Sequence, residues 1–328
     1  MLVSVVIPAY NAEKWISQTI SSVLNQTHRD LEIVLVDDGS TDGTVAVAEA
    51  ALQRCSFPFQ ILRQQNTGAA GARNLGWRKA HGFWIQFLDA DDLLEPQKIE
   101  LQIARADSDG PVDVVYSDWQ RLIWRKNAWQ ADDLRTPCIR RDALADILSD
   151  RNFLQLGCLL FRSSILDLVG GFDASHEPIE DVGLCVKVAI AGGTFARAQS
   201  NGPVASYRDL PRSFAKIDHR RFVESCIKNA KLAEQYIRRS PQESPRIVDA
   251  IVDIYFNGAR YFAGSDWERF EEMVLDIESL RPAFVPRAPA QLSMLSRIVG
   301  YRRAERLAAL YRKGKGIGAS LMRDNAAR

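Results

Sequence analysis

Short apolar runs alternate with helix-like patterns along the first half of the chain, and this alternation constrains the fold most strongly. Leu2–Ile7 and Leu31–Val36 are continuous apolar runs, as expected for strands that are buried on both faces. We predict further strands at 59–62, 83–88 and 112–116, and helices after Asn11 as N-cap, at 44–52, at 71–80 and from Pro96. Strands and helices that alternate in this way predict βαβ units and a mostly parallel sheet.

The pattern changes after about Ser117. Three tryptophans in a polar stretch indicate an antiparallel excursion, 157–161 resembles a strand, and 180–191 is typical of a helix that stops at Gly192 and Gly193. Beyond about Asp218 we predict only helices, near 219–238, 246–263, 266–279 and 291–312. The chain is therefore predicted to be an α/β domain over residues 1–214, followed by an all-helical region over residues 215–328.

Composition excludes several classes of protein. The net charge is +1, so no overall field attracts nucleic acid or acidic lipid. The 5 cysteines form no CxxC pair and the 4 histidines no HExxH pattern, which argues against a disulfide framework or a zinc site and fits a reducing compartment. The sequence has no pattern of a secretion signal and no apolar stretch of membrane-spanning length. We therefore expect a cytoplasmic protein, either free or peripheral to the inner face of the membrane.

Polar clusters follow the predicted strands. In an open parallel sheet, ligands bind beyond the carboxyl ends of the strands. The first strand runs into Pro8-Ala9-Tyr10-Asn11, the second into Asp37-Asp38-Gly39-Ser40, and the fourth into Asp89-Ala90-Asp91-Asp92. The third leads to Asn66-Thr67-Gly68, with Arg73 in the helix that follows. We therefore predict one polar rim that carries carboxylates, an arginine and a tyrosine.

The residues alone leave alternatives open at this rim. Asp37 and Asp38 also suit turns and helix caps, and Arg73 also suits a solvated helix face. Asp89, Asp91 and Asp92 are different, because carboxylates so close in sequence repel one another unless a cation or solvent separates them. This pattern predicts Mg²⁺ or Mn²⁺ bound by oxygen, with diphosphate oxygens that complete the coordination. Arg73 would then neutralise the same phosphates.

Four stretches in order, 3–11, 36–44, 66–76 and 87–92, resemble the family 2 glycosyltransferases of the GT-A fold. The resemblance covers roughly residues 1–210 and is extended by Gly170–Asp173 followed by Glu180–Leu184. It implies a metal-dependent, inverting enzyme that takes a sugar from a nucleotide diphosphate donor, by default UDP, with dTDP and GDP left open. A glycan or lipid-linked glycan is the implied acceptor.

The same resemblance implies roles for individual residues. Asp181 would be the catalytic base and Asp91 the metal ligand of the DXD motif; without the resemblance, Glu180 and Asp181 would read as first-turn acids favoured by the helix dipole. Glu180, Asp92 and Arg208 would have secondary roles, with Asp92 as a helper of the metal ligand. Nucleotide binding is implied for Pro8, Ala9, Tyr10 and Asp38 near the base, Asp89 at the ribose and Arg73 at the diphosphate.

Two departures from the family pattern affect these expectations. Leu210 stands where relatives often carry a histidine after a Tyr-Arg pair, so we expect Arg208 or Arg212 to cover the diphosphate instead. The QxxRW motif and membrane helices of processive synthases are absent, which implies the addition of one or a few sugars. The rivals are a non-catalytic nucleotide-sugar-binding partner subunit and a nucleotidyltransferase, although the latter usually carries a glycine-rich loop after its first strand. No nucleic-acid reader motif occurs.

The end of the chain is rich in basic residues. Between Arg297 and Arg323 there are eight Lys or Arg residues and one Glu, with apolar residues at roughly helical spacing. One alternative is a basic amphipathic helix over 290–323 that lies on an anionic membrane. The other is a helix packed on the catalytic domain with a solvated basic face. A homodimer contact or a part in shaping the acceptor site is also compatible with this region.

Overall fold

The computed structural model describes the chain except residues 54, 109, 141, 150, 151, 211–217, 240–243 and 313–328. Its contacts divide the chain into two compact units, Met1–Ser225 and Cys226–Arg328. The boundary predicted between residues 214 and 215 lies outside the described residues, so that division stays a prediction. The first unit combines sheets with flanking helices and the second is helical, which confirms the predicted fold class.

The first unit contains eleven described strands in two sheets. The main sheet has the spatial order β10-β6-β9-β4-β1-β2-β3, and its pairs are parallel except those of β9, which runs antiparallel to β4 and β6. Every residue of β1 and β2 is buried, as their unbroken apolar sequences predict. The strands are β1 (Val3–Ala9), β2 (Leu31–Asp37), β3 (Phe59–Arg63), β4 (Trp84–Phe87), β5 (Leu93–Leu94), β6 (Val114–Tyr116), β7 (Trp119–Arg125), β8 (Ala128–Arg135), β9 (Leu159–Arg162), β10 (Phe195–Arg197) and β11 (Ala205–Arg208).

The smaller sheet has the order β5-β11-β7-β8. β7 and β8 form the antiparallel excursion predicted around the tryptophans, joined at Lys126 and Asn127. These two residues have φ of 51° and 60°, the positive values that a tight two-residue hairpin turn requires. β11 pairs with β5, which begins directly after Asp92, so this sheet holds the downstream side of the acidic turn in place.

Seven described α-helices of the first unit connect the strands, and two of them begin later than the sequence predicted. The helix after β1 begins at Ile16, so the prediction of Asn11 as its N-cap was wrong. Asn11 instead has φ of 49°, and its side-chain Oδ1 accepts the backbone N–H of Thr41 at 2.9 Å, which ties the loops after β1 and β2 together. The helix predicted to open at Pro96 begins at Lys98. The helices are α1 (Ile16–Leu24), α2 (Thr44–Leu52), α3 (Gly68–Lys79), α4 (Lys98–Ala106), α5 (Ala143–Leu148), α6 (Ser163–Val169) and α7 (Glu180–Ile190).

The remaining described helices are α8 (His219–Arg239), α9 (Pro245–Phe262), α10 (Trp267–Leu280), α11 (Ala290–Val299) and α12 (301–312). A single helix was predicted over 291–312, and this was wrong. Gly300 has φ of +78°, which interrupts the helical backbone and separates α11 from α12. Among the residues that the structure describes, no helix is both long and apolar enough to cross a membrane.

Candidate active site

The carboxyl ends of three neighbouring strands lie at one edge of the main sheet. β1 ends at Ala9 and β2 at Asp37, while β4 runs parallel to β1 on its other side and ends at Phe87. The backbone N–H of Asp38 donates to the carbonyl oxygen of Ala9 at 2.8 Å, so the first two strands stay together beyond their ends. The polar residues after each strand therefore share one rim, as the sequence predicted.

The segment after β1 is the first part of this rim. Pro8 and Ala9 lie inside the strand and are buried, whereas Tyr10 is 52% exposed. The backbone N–H of Asn11 donates to Ser40 Oγ at 3.0 Å, which fixes the turn that presents Tyr10. Tyr10 is thus the member of this trio with a ring face open to a nucleobase, and the binding roles of all three stay predictions.

Asp38 is 3% exposed and caps the N-terminus of α3. Its Oδ1 accepts the backbone N–H of Thr67 at 2.8 Å, and its Oδ2 accepts that of Gly68 at 2.9 Å. The capping alternative therefore holds for Asp38, although on α3 rather than on α2, the helix that follows it in sequence. A nucleobase N–H that donates to Asp38 would use the lone pairs that remain on these oxygens.

Arg73 links two distant parts of the rim. Its Nη2 lies 2.6 Å from Asp89 Oδ1 and its Nη1 lies 2.6 Å from Glu180 Oε1. The residue is 5% exposed and its guanidinium lies over the ring of Phe172, which excludes the solvated helix face. Burial alone would lower the pKa of Arg73, but the two carboxylates raise it above its usual range. The acidic turn after β4 and the start of α7 are therefore held together by one buried charge.

We expect Arg73→Met to lower the free energy of unfolding by about 3–5 kcal/mol, because it leaves a buried carboxylate without its partner. Urea denaturation followed by circular dichroism measures the loss. Arg63→Met is a matched control, since Arg63 pairs with Glu49 at 3.3 Å on the surface, where both side chains are more than half exposed. That pair should contribute about 0–1 kcal/mol. Equal losses in the two variants would contradict the linking role of Arg73.

Asp181 lies in the first turn of α7, next to Glu180 in sequence. Its Oδ1 accepts the backbone N–H of Val182 at 2.8 Å, and the residue is half-buried. Burial and repulsion from Glu180 raise the pKa of Asp181 to about 7. A carboxylate with such a pKa suits a general base at neutral pH, because it takes up a proton more readily than an ordinary aspartate.

Asp91 has the properties of a cation ligand. Among the described residues, no other side chain forms a hydrogen bond or ion pair with its half-buried carboxylate. Burial and the charge of Asp89 raise the pKa of Asp91 to about 6, although Arg208 and Arg73 act in the opposite direction. No cluster of three or more potential metal-ligating side chains occurs within the described ranges. The role of Asp91 as the metal ligand stays a prediction.

Asp92 has different surroundings from Asp91. It is 1% exposed, its Oδ1 accepts the backbone N–H of Arg208 at 2.9 Å, and its Oδ2 accepts the side-chain amide of Gln155 at 2.8 Å. Burial, with repulsion from Asp91 and Asp89, raises the pKa of Asp92 well above its usual range. Both oxygens of the Asp92 carboxyl group accept hydrogen bonds from protein donors, and these bonds fix the acidic turn. Help by Asp92 in metal binding stays a prediction.

The guanidinium of Arg208 binds the backbone of the acidic turn. Its Nη1 donates to the carbonyl oxygen of Asp91 at 2.6 Å, and its Nη2 donates to the side chain of Gln18. The guanidinium carbon lies 5.4 Å and 5.7 Å from the ring centres of Trp15 and Trp129, and the residue is 2% exposed. Arg208 therefore holds the turn in this structure, and cover of the diphosphate by Arg208 stays a prediction. Arg212, its predicted alternative, lies outside the described residues.

Sequence reasoning missed the residues that shape the acidic turn. Thr19 Oγ1 donates to the carbonyl oxygens of Ala90 at 2.8 Å and Asp92 at 2.9 Å, and Gln155 binds the carboxyl group of Asp92. A polar residue on the apolar stripe of α1 was the one signal that pointed to Thr19. Gln155 had none, because its partner is distant in sequence.

A family model described as Glycosyl transferase family 2 matches residues 4–169. The chain is 32% identical to the chondroitin synthase of Escherichia coli over 192 residues, which is 58% of this chain and 27% of that protein. It is 31% identical over 191 residues to the hyaluronan synthase of Pasteurella multocida, again 58% of this chain and 19% of the relative. The chain thus spans less than a third of the length of either relative.

Solved structures share the fold over nearly the whole chain. The crystal structure of S. aureus TarS 1–349 in complex with UDP matches with a TM-score of 0.65 and 18% identity, over 96% of this chain and 92% of that one. The mannosyltransferase PcManGT from Pyrobaculum calidifontis in complex with GDP-Man and Mn²⁺ matches with a TM-score of 0.57 and 18% identity, over 94% and 86%. At such low identity these likenesses show a common fold.

Proposed function

Because this chain belongs to glycosyl transferase family 2, we propose that it moves a sugar from a nucleoside diphosphate donor to a hydroxyl group of a glycan or lipid-linked glycan. A UDP-sugar is our first choice of donor, and one or a few sugars are added. The observation that carries the proposal is the link through Arg73, which joins Asp89 in the acidic turn to Glu180, the neighbour of Asp181. A base and a donor-side acid are thereby held at one rim.

The proposed reaction is a single displacement. Asp181 takes the proton of the acceptor hydroxyl as the hydroxyl oxygen attacks the anomeric carbon of the donor sugar. The bond from that carbon to the diphosphate oxygen breaks, and its electron pair leaves with the diphosphate. Since attack comes from the face opposite the leaving group, the anomeric configuration inverts.

Asp91 is the residue that we propose as the protein ligand of Mn²⁺ or Mg²⁺. Carboxylate oxygens are ligands that these cations prefer. Among the described residues, no cationic side chain forms an ion pair with the Asp91 carboxylate. A bound divalent cation supplies charge neutralisation to a leaving diphosphate. Asp89 offers a second carboxylate in the same turn, although Arg73 already holds one of its oxygens at 2.6 Å.

A donor screen tests this proposal. The purified chain is mixed with UDP-, dTDP- and GDP-sugars and Mn²⁺, and donor binding is measured by thermal shift. Release of nucleoside diphosphate is then measured without acceptor. With an α-linked donor and a glycan acceptor, ¹H NMR of the glycosylated acceptor should show a β-linked sugar. Binding without release of diphosphate would favour the non-catalytic partner subunit. Release of pyrophosphate from a nucleoside triphosphate and a sugar phosphate would favour the nucleotidyltransferase.

The pH dependence of the reaction follows from Asp181. Because burial and Glu180 raise the pKa of this carboxyl to about 7, the base form is lost as the pH falls through that value. We expect kcat/KM to be level above pH 8 and to fall about tenfold per pH unit below pH 6. Initial rates, measured at a subsaturating concentration of a nucleotide sugar that binds in the donor screen, give the pH profile of kcat/KM. A flat profile between pH 5 and pH 8 would exclude Asp181 as the titrating base.

A further inference from the structure

The outward faces of α11 and α12 carry large apolar side chains. Exposed fractions are 69% for Met294 and 73% for Ile298 on α11, and 52%, 63% and 64% for Leu307, Leu310 and Tyr311 on α12. Met294 and Ile298 are four residues apart, and Leu307 is followed three and four residues later by Leu310 and Tyr311, so each set lies on one broad face of its helix. Leu292 on α11 and Tyr301 on α12 are buried, and they lie on the sides of the helices away from Met294 and Leu310. Apolar residues that a packed helix would turn inward therefore point to solvent.

The charges interleaved with these residues are positive. Arg297, Arg303 and Arg306 are exposed, and none of the three forms an ion pair with an acid among the described residues. Arg306 lies over the ring of Trp267, at 5.0 Å from its centre. The one acidic residue of 290–312 is Glu305, which is 0% exposed and bonded to Arg312. The outward faces of the two helices therefore combine hydrophobic side chains with uncompensated positive charge.

This combination matches the chemistry of an anionic bilayer surface. Exposed apolar groups of this size on a soluble helix usually mark a binding surface, and guanidinium groups form paired hydrogen bonds with phosphate oxygens. Of the two alternatives left open by the sequence, the exposed fractions favour the membrane-surface helix, and the packing of this region on the catalytic domain stays a prediction. A purely solvated basic face would carry polar residues where Ile298 and Leu310 stand.

We propose that the outward faces of α11 and α12 bind the surface of an anionic lipid bilayer. The apolar side chains enter the boundary between headgroups and acyl chains, and the arginines contact lipid phosphates. This surface lies within the second unit, and the proposal does not depend on the glycosyltransferase activity. It would hold this part of the chain at the membrane surface.

Flotation of the full chain with vesicles tests the proposal. We expect it to float with vesicles of phosphatidylcholine and phosphatidylglycerol, to float at least tenfold less with phosphatidylcholine alone, and to lose binding as salt increases. Leu307→Ser with Leu310→Ser, and separately Arg297→Gln with Arg303→Gln, should each lower binding at least tenfold. Leu168→Ser with Leu275→Ser is a matched control, because these leucines are also exposed, at 69% and 57%, but lie on other helices.

Several results would overturn the proposal. One is that the chain does not float with either kind of vesicle. Another is that the control pair of substitutions lowers binding as much as Leu307→Ser with Leu310→Ser does. A third is that the chain does not float and light scattering shows a dimer that Leu307→Ser with Leu310→Ser abolishes; a second copy of the chain would then cover this face. Because the substituted side chains are exposed, unchanged circular dichroism and thermal unfolding should accompany every variant.

Discussion

Asp181→Asn should lower kcat by about 10²- to 10⁴-fold and leave donor affinity unchanged. The amide has nearly the shape of the carboxylate and can keep the contact from the Val182 backbone N–H to its oxygen, but it cannot accept the proton of an acceptor hydroxyl. Steady-state kinetics gives kcat, and calorimetry with the donor gives affinity. Turnover at the parental rate would remove Asp181 from the role of base.

The same variant should be more stable than the parent at high pH. The folded pKa of Asp181, about 7, lies above the value of 3.8 for an ordinary aspartate, so ionisation of the folded protein costs stability as the pH rises between these values. The gain in Tm for Asp181→Asn should therefore grow from pH 4 to pH 7 and be constant above. Thermal unfolding followed by circular dichroism gives this trend, and an equal gain in Tm at pH 4 and pH 7 would contradict it.

Asp91→Ala should abolish the Mn²⁺-dependent part of donor binding. Among the described residues, no side chain compensates this carboxylate by a hydrogen bond or ion pair, and its loss removes a hard oxygen ligand from the acidic turn. Calorimetry with a UDP-sugar in Mn²⁺ and in EDTA should give two different affinities for the parent and equal ones for the variant. Unchanged affinity in Mn²⁺ would remove Asp91 as the ligand.

Asp92→Asn provides the matched control for that experiment. Asp92 is the next residue, but its buried carboxyl accepts hydrogen bonds from Arg208 and Gln155, and its pKa is raised by burial and by the neighbouring acids. The Asn oxygen can still accept the Arg208 backbone N–H, and Gln155 can turn its amide so that its unpaired Oε1 accepts the new side-chain N–H. The effect of Mn²⁺ on donor affinity should therefore persist. Loss of that effect in Asp92→Asn would show that both acids hold the cation.

Much of the fold and of the rim was predictable from local patterns. Fully apolar runs predicted β1 and β2, since strands buried on both faces need no polar alternation, and α2 has the predicted bounds. The polar clusters after the strands share one rim because parallel strands end on the same side. Asn11 and Gly300 were misjudged, because a positive φ depends on contacts and chain direction rather than on periodicity.

The kinds of side chain at the rim and their order along the chain can be predicted from the sequence, since strand ends and acid-rich turns are local features. The sequence does not predict which acid faces which partner. Asp91 and Asp92 are adjacent and chemically identical. Within the described part of the chain, the carboxylate of Asp91 has no side-chain hydrogen bond or ion pair, whereas that of Asp92 is buried and accepts hydrogen bonds from Arg208 and Gln155. The buried position of Arg73 between Asp89 and Glu180 likewise depends on segments that meet only after folding. Long-range packing sets burial and pairing, and through them the charge that each carboxyl group carries.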